Sequence, residues 1–381
     1  MSRVRIKRFC LLLLIIYTLT LLLGVGTSAI CCDEESELAF ALCGEKVDTG
    51  ESMETAASCG KKISSRFYEL RFDKEEKEDG ELYLIPGGDV FGVKVKETHV
   101  TVSDAEDGSL LKRGDKILSI NDTTVKNAED VSSAMKACRG GTVKIDILRG
   151  GEKMTLTAVP KYEDGSYKLG VTLRRAACGI GTVTFIDPKT HAFGGLGHGI
   201  CDPQTKAPVE IESGEVSGVV LGGINRGEVG KPGELSGVLN KKHLGEININ
   251  GECGVFGVIE DISSYDATPI PVGARDCVKL GEAEIISTVR NGKKSTYKIE
   301  ITEIDRSSNG SKSFKIKVTD PTLIALTGGI VRGMSGSPII QDGKLVGAVT
   351  HVMVANPTEG YGIFIENMLN AAQQGIQPKA A

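Results

Sequence analysis

Tryptophan is absent from the 381 residues, aromatic side chains make up only 5% of them, and no Gly-X-Y period runs through the chain. Glycine, by contrast, occurs 48 times, well above its usual share of about 7%. With no collagen repeat to account for it, that much glycine implies a β protein dense in tight turns. Positive charge is not in excess either: 45 Lys and Arg face 50 Asp and Glu, for a net charge of −5. There is no polycation for a phosphate backbone to pair with, so no nucleic acid is expected as a partner. The sequence has no Cys-x-x-Cys pair, which removes the zinc-ribbon and thioredoxin classes. Hydrophobic residues at 40% and charged residues at 25% exclude a wholly disordered chain and a multi-span membrane protein. The length implies two or three domains.

The one long apolar run is N-terminal. Arg3, Arg5, Lys7 and Arg8 precede a run that starts at Phe9 and fades at Gly26. About 18 residues at 1.5 Å each reach roughly 27 Å, enough to cross a bilayer core, and the basic flank would stay cytoplasmic. Residues 1–30 therefore read either as a signal peptide, with Thr27-Ser28-Ala29 as cleavage context, or as an uncleaved membrane anchor. Both readings export the rest of the protein. Residues 31–80 are polar, end in the charge run Asp73–Gly80, and are expected to form a linker or stalk. Cys31, Cys32, Cys43 and Cys59 would form local bridges in an oxidising space; for the other cysteines, buried reduced thiols are an equal reading.

Residues 81–162 read as a compact module. Val90–Val95 alternates like a strand, Ala128–Ala137 is helix-like, and Val143–Leu148 and Met154–Val159 flank the hairpin signal Arg149-Gly150-Gly151-Glu152. Leu111–Asn121 carries Leu-x-x-Gly-Asp-x-Ile-Leu-x-Ile-Asn. This order resembles a PDZ domain of the bacterial protease type, in which those residues are structural. PDZ domains take an extended peptide as an added strand. The resemblance places the carboxylate-accepting loop at Ile85-Pro86-Gly87-Gly88, where glycine amides would converge on an anion.

Residues 173–375 read as all-β. Thr182–Ile186 and Ser313–Val318 are strand-like; Ile285–Val289 and Ser295–Ile301 straddle Arg290-Asn291-Gly292, and Ile339-Ile340 and Leu345–Thr350 straddle Gln341-Asp342-Gly343-Lys344. Short strands at such spacing form a barrel or sandwich, and Ile365–Gln373 is expected to close the domain as a helix. The sharpest feature is Gly333-Met334-Ser335-Gly336-Ser337-Pro338, the pattern of the nucleophile loop in chymotrypsin-like serine peptidases. In such a loop the amides of Gly333 and Ser335 hold the oxyanion of the tetrahedral intermediate. A serine hydroxyl needs a base. Of the five histidines, His198 is preferred because Gly195, Gly197 and Gly199 surround it, with His191 in reserve. A metal site of His191, His198 and Asp202 lacks a third nitrogen or sulfur ligand, so no metal or other cofactor is expected. Asp320, before Pro321, is the candidate acid that orients the imidazole; Asp187 and Asp202 are nearer His198 along the chain.

Together, Phe193–Ile200, Asp320-Pro321 and Gly328–Ile340 closely resemble the stage IV sporulation protein B peptidases, PDZ-containing serine peptidases of spore-forming Firmicutes. The resemblance implies a mainly β protein with an N-terminal anchor, a PDZ domain and a chymotrypsin-like β-barrel peptidase, and a His198–Asp320–Ser335 triad. It further implies a signalling endopeptidase exported into the space between the two spore membranes. There it would cut itself between residues 27 and 80 and cut a membrane-bound regulatory complex, licensing an intramembrane metalloprotease to process a sigma factor. The rival reading is a PDZ adaptor whose peptidase-like domain is inert.

Overall fold

The computed structural model describes residues 82–374 apart from 203–205, 207, 264, 266, 267 and 291. The N-terminal apolar segment, the stalk, the Asn291 turn and the C-terminal tail lie outside these residues. Strands β1 (Tyr83–Pro86) and β2 (Val90–Ala105) come first, followed by β3 (Lys116–Ile120), β4 (Thr123–Thr124), the helix Ala128–Cys138, β5 (Val143–Arg149), β6 (Glu152–Ala158), β7 (Lys161–Glu163) and β8 (Ser166–Lys168). Next are β9 (Val171–Ile186), β10 (Ala192–Gly195), β11 (Ile211–Asn225), β12 (Glu234–Gly251), β13 (Gly254–Ile259) and β14 (Ile270–Pro271). The remaining strands are β15 (Gly281–Arg290), β16 (Lys293–Ile304), β17 (Phe314–Val318), β18 (Pro338–Gln341), β19 (Lys344–Met353) and β20 (Asn356–Phe364), with helices Pro321–Thr327 and Ile365–Gln374.

Two barrels result. Strands β9-β10-β13-β12-β11-β2 pair in that order, and the β2–β9 pairing closes the ring. Phe91, Val93, Val95, Val183, Phe193, Leu196, Val216 and Val255 fill it. Strands β15-β16-β17-β20-β19-β18 close the second barrel around Ile285, Ile299, Phe314, Val349 and Phe364. Local turn chemistry sets the hairpins. Gly150 and Gly151 join β5 to β6 at φ 58° and 89°, and Asp342 and Gly343 join β18 to β19 at φ 50° and 75°. Two successive positive φ values are what a type I′ turn requires.

The PDZ-like module has its own core of Val100, Val102, Leu111, Ile117, Ile120, Val131, Met135, Val143, Ile145 and Ile147. Its helix starts on a capping box between Asn127 and Asp130. Asp115 of the Gly-Asp signature accepts from the Lys112 amide at 2.7 Å and pairs with Arg149 at 2.6 and 2.7 Å, confirming a structural role. No linker separates this module from the first barrel. The 16-residue strands β2 and β9 run through both, pairing Val90–Lys96 with Ala176–Thr182 on the barrel side and Thr101–Ala105 with Val171–Arg174 on the module side.

Candidate active site

The loop carrying Ser335 is clamped between the barrels. From β9, Thr182 Oγ1 donates to Gly333 O at 2.8 Å, Thr182 N to Ser335 O at 2.9 Å, and Thr184 Oγ1 to Gly336 O at 2.8 Å. From β19, Val349 O accepts from Gly336 N at 2.7 Å, and Val349 N donates to Ser337 O at 2.9 Å. Only glycine fits at 336: its φ is +92°, and a Cβ there would lie 2.0 Å from Thr182 O and 2.5 Å from Leu196 N. That close approach is what brings the two candidate catalytic segments together, because Leu196 lies two residues before His198.

The His198 segment leaves β10 through a strained bend. Leu196 sits at φ +67° and Gly197 at +70°; a bulky residue in that region is held there by its surroundings. Leu196 N donates to Thr182 O at 3.2 Å, next to the same threonine that holds the nucleophile loop. His198 is 6% exposed and Ser335 2%. His198 Nδ1 lies 2.9 Å from Gly199 O. A carbonyl only accepts, so Nδ1 carries the proton and Nε2 of the neutral ring carries the lone pair. This is the tautomer a general base for serine needs. Among the described residues no hydrogen bond joins Ser335 Oγ to an imidazole; such contacts are commonly looser before substrate arrives.

Gly333 and Ser335 are both buried, and among the described residues neither amide makes a hydrogen bond. Buried amides without acceptors are rare and ask for a reason. An oxyanion bound at these two donors supplies one, and Gly333 at φ +95° lets the backbone present them.

The other expected site residues are placed differently. Asp320 caps the helix Pro321–Thr327: Oδ1 accepts from the Thr322 and Leu323 amides at 2.8 and 3.0 Å, and Oδ2 from Lys298 N at 3.4 Å. None of its hydrogen bonds reaches His198, and the carbonyl of Gly199 takes Nδ1–H instead. Asparagine caps a helix as well as aspartate does, so Asp320→Asn separates the two roles. A cap alone predicts unchanged melting and unchanged turnover; a charge that supports the imidazole predicts unchanged melting with turnover down about 10⁴-fold. His191 and Asp187 share the β9–β10 turn, where His191 N donates to Asp187 O, at the end of β10 away from His198. Asp202 pairs with Arg174 at 3.1 Å.

The peptide-binding loop expected at Ile85-Pro86-Gly87-Gly88 is built into the first barrel's side instead. Ile85 is 1% exposed and pairs with Ile186, and Pro86 pairs with Phe185. Gly87 N and Gly88 N donate to Thr184 O and Val183 O at 2.9 and 2.8 Å, which leaves no glycine amide to hold a carboxylate. The PDZ-like module's own cavity, about 240 Å³, lies against Glu106, Leu110, Leu156, Val159, Lys161 and Lys168.

His351 follows the nucleophile hairpin and reads from the sequence as a residue of the cleft wall; its ring lies 5.2 Å from that of His198, tilted by 41°. Burial, then the positive charge that His198 takes when protonated and that of Lys312, hold its pKa well below the usual 6.5. A histidine kept neutral in the folded state takes up a proton on unfolding. Its contribution to stability is therefore whole above pH 6.5 and drains away as pH falls towards the folded-state value, by about 1.4 kcal/mol per unit within that window. Urea melts at pH 7.5, 6.5 and 5.5 should show the wild type losing stability more steeply than His351→Leu; parallel curves would refute this.

Residues 165–369 match SpoIVB peptidase S55, more than half of the chain. The chain belongs to the SpoIVB peptidase S55 family. Residues 70–159 match a PDZ domain. A putative zinc metalloprotease LL2128 of Lactococcus lactis is 36% identical over 61 residues, 16% of this chain and 14% of the relative; the aligned part is thus a small fraction of that protein. Among solved structures, the PDZ domain of the SdrC-like protein Lmo2051 from Listeria monocytogenes is 23% identical, covering 21% of this chain and 90% of that one with TM-score 0.19. The Rv3671c protease of M. tuberculosis in its active form is 14% identical, covering 66% and 89% with TM-score 0.30. The HtrA-type protease AlgW with a decapeptide is 10% identical, covering 76% and 64% with TM-score 0.32.

Proposed function

We propose that this member of the SpoIVB peptidase S55 family is an exported serine endopeptidase of narrow specificity. One observation carries the reading: the Ser335 loop, with two buried residues whose amides have no acceptor among the described residues, is packed directly against the segment bearing His198, whose Nδ1 sits 2.9 Å from the Gly199 carbonyl. His198 Nε2 takes the proton of Ser335 as Oγ attacks the scissile carbonyl. The oxyanion is held by the Gly333 and Ser335 amides, each worth about 2.7–4 kcal/mol in the transition state. His198 then gives the proton to the leaving amine as the C–N bond breaks, and water hydrolyses the acyl-serine by the same steps. The Gly199 carbonyl holds the ring; family resemblance assigns an electrostatic share to Asp320.

The finer reading rests on family membership and on the N-terminal sequence. The substrates are the chain's own N-terminal segment, between residues 27 and 80, and a membrane-bound regulator of sporulation, whose cleavage leads to activation of an intramembrane protease and sigma-factor processing. The N-terminal apolar segment tethers the enzyme to the membrane, in the forespore intermembrane space, until it is cut. The test is self-processing of the full chain on a gel, wild type against Ser335→Ala and His198→Ala. Loss in both supports a serine endopeptidase; undiminished processing in either favours an adaptor with an inert peptidase-like domain.

A further inference from the structure

The carbonyl that orients His198 belongs to a peptide group whose other end is also held. Gly199 C=O and Ile200 N–H are one peptide plane. His198 Nδ1 donates to Gly199 O at 2.9 Å, and Ile200 N donates to Asn250 Oδ1 at 2.8 Å. Asn250 lies near the end of β12, on the strand's return into β13. Its Nδ2 donates to Ile200 O and to Val209 O, both at 2.8 Å, and Val209 N donates to Ile200 O at 2.8 Å. One side-chain amide thus closes the neck of the loop that runs from His198 to Val209 and fixes the tilt of the peptide facing the imidazole. The approach is close: a Cβ on Gly199 would lie 2.7 Å from Gly251 O. Cys201 Sγ reaches the same Gly199 carbonyl at 3.5 Å.

We infer that Asn250 is a positioning residue for catalysis, acting on His198 through the intervening 199–200 peptide. Resting on the reading of His198 as the base, the inference supplies what that reading lacks on this side of the ring. A neutral carbonyl is a weaker partner for a forming imidazolium than a carboxylate. A peptide whose N–H is itself donating is polarised, and each bond in such a chain strengthens the next. Oδ1 therefore carries the relay to the ring, while Nδ2 holds the loop closed. An unheld peptide would turn, and Nδ1 would lose its acceptor and the ring its orientation.

The test uses the purified full chain and diisopropyl fluorophosphate, which needs no knowledge of the natural substrate. Ser335 Oγ attacks phosphorus, the P–F bond breaks, fluoride leaves, and the hydroxyl proton passes to His198. Asn250→Ala is expected to slow phosphorylation of Ser335 about 10–100-fold, the usual effect of removing the support behind a functional imidazole. Asn250→Asp, which keeps the acceptor for Ile200 N–H, is expected to stay within about threefold of the wild type on the same argument. With ¹⁵N-labelled histidine, the Nδ1–H resonance of His198 should move in Asn250→Ala and stay in Asn250→Asp. A pure loop clamp would slow both variants alike, since both lose the Nδ2 bonds, and would leave the resonance of the folded fraction in place; that pattern overturns the inference. So does a wild-type rate in Asn250→Ala. His198→Ala is the control: if it reacts as fast as the wild type, the base reading itself fails, whereas a dead His198→Ala beside a fully active Asn250→Ala removes only the role of Asn250.

Discussion

Ser335→Ala is expected to lower peptide turnover about a millionfold, and adding His198→Ala to it should cost almost nothing more. Side chains that act as one unit lose their function together, so knocking out the nucleophile or its base alone removes nearly what removing both removes. The structure makes them one unit. The Ser335 loop hangs on Thr182 and Thr184, Leu196 N bonds to Thr182 O, and His198 follows two residues later. A residual rate of roughly 10³–10⁴ over water should survive, because the Gly333 and Ser335 amides remain. Single-turnover cleavage of a synthetic peptide spanning residues 27–80 measures all three variants. Losses that multiply, rather than overlap, would mean that His198 serves some step other than activating Ser335.

The largest effect on stability should come from Arg174→Met. Arg174 pairs with both oxygens of Glu97, the Nη2 contact at 2.8 Å, and with Asp202 at 3.1 Å; the three side chains are 7%, 5% and 9% exposed. Thr101 Oγ1 donates to Glu97 at 2.8 Å as well. Removing the guanidinium leaves the Glu97 carboxylate buried without this counter-charge and takes one partner from Asp202, which costs about 3–5 kcal/mol, a melting midpoint lower by roughly 10 °C. The triple variant Glu97→Gln, Arg174→Met, Asp202→Asn should recover most of that loss, because the charges that cannot be hydrated are gone. Calorimetry of the single and triple variants decides it; equal midpoints would mean that water already reaches the cluster.

The parts of the fold that were readable are those fixed by neighbours in sequence. The Gly150-Gly151 and Asp342-Gly343 turns and the Gly333–Pro338 loop each carry their geometry in a few adjacent residues. The helix expected at Ile365–Gln373 forms at Ile365–Gln374. What was missed depends on partners far along the chain. Val90–Val95 alternates visibly, yet nothing in it says that its two edges go to β9 and β11. The glycines at 87 and 88 look like an anion nest, but their amides meet carbonyls nearly a hundred residues away. Asp320-Pro321 carries two roles that the sequence does not separate: the acid that the family resemblance implies, and a standard helix start, with the carboxylate on the first amides and proline in the first turn. Asn250 had no motif to mark it. Its weight comes only from lying across Ile200 and Val209.

Strands β2 and β9 have a consequence for how the protein can be taken apart. The PDZ-like module is an excursion between two staves of the barrel, so truncating the chain near residue 160 would strip a stave and spill the catalytic half. Lys96 and Ala176 face each other across the β2–β9 ladder. A short turn joining those two positions would shorten the excursion to nothing and leave the ring shut. By the same geometry the module hangs on continuous backbone rather than on a tether, with the ladder shifting register only between Lys96 and Thr101 and between Val102 and Asp104.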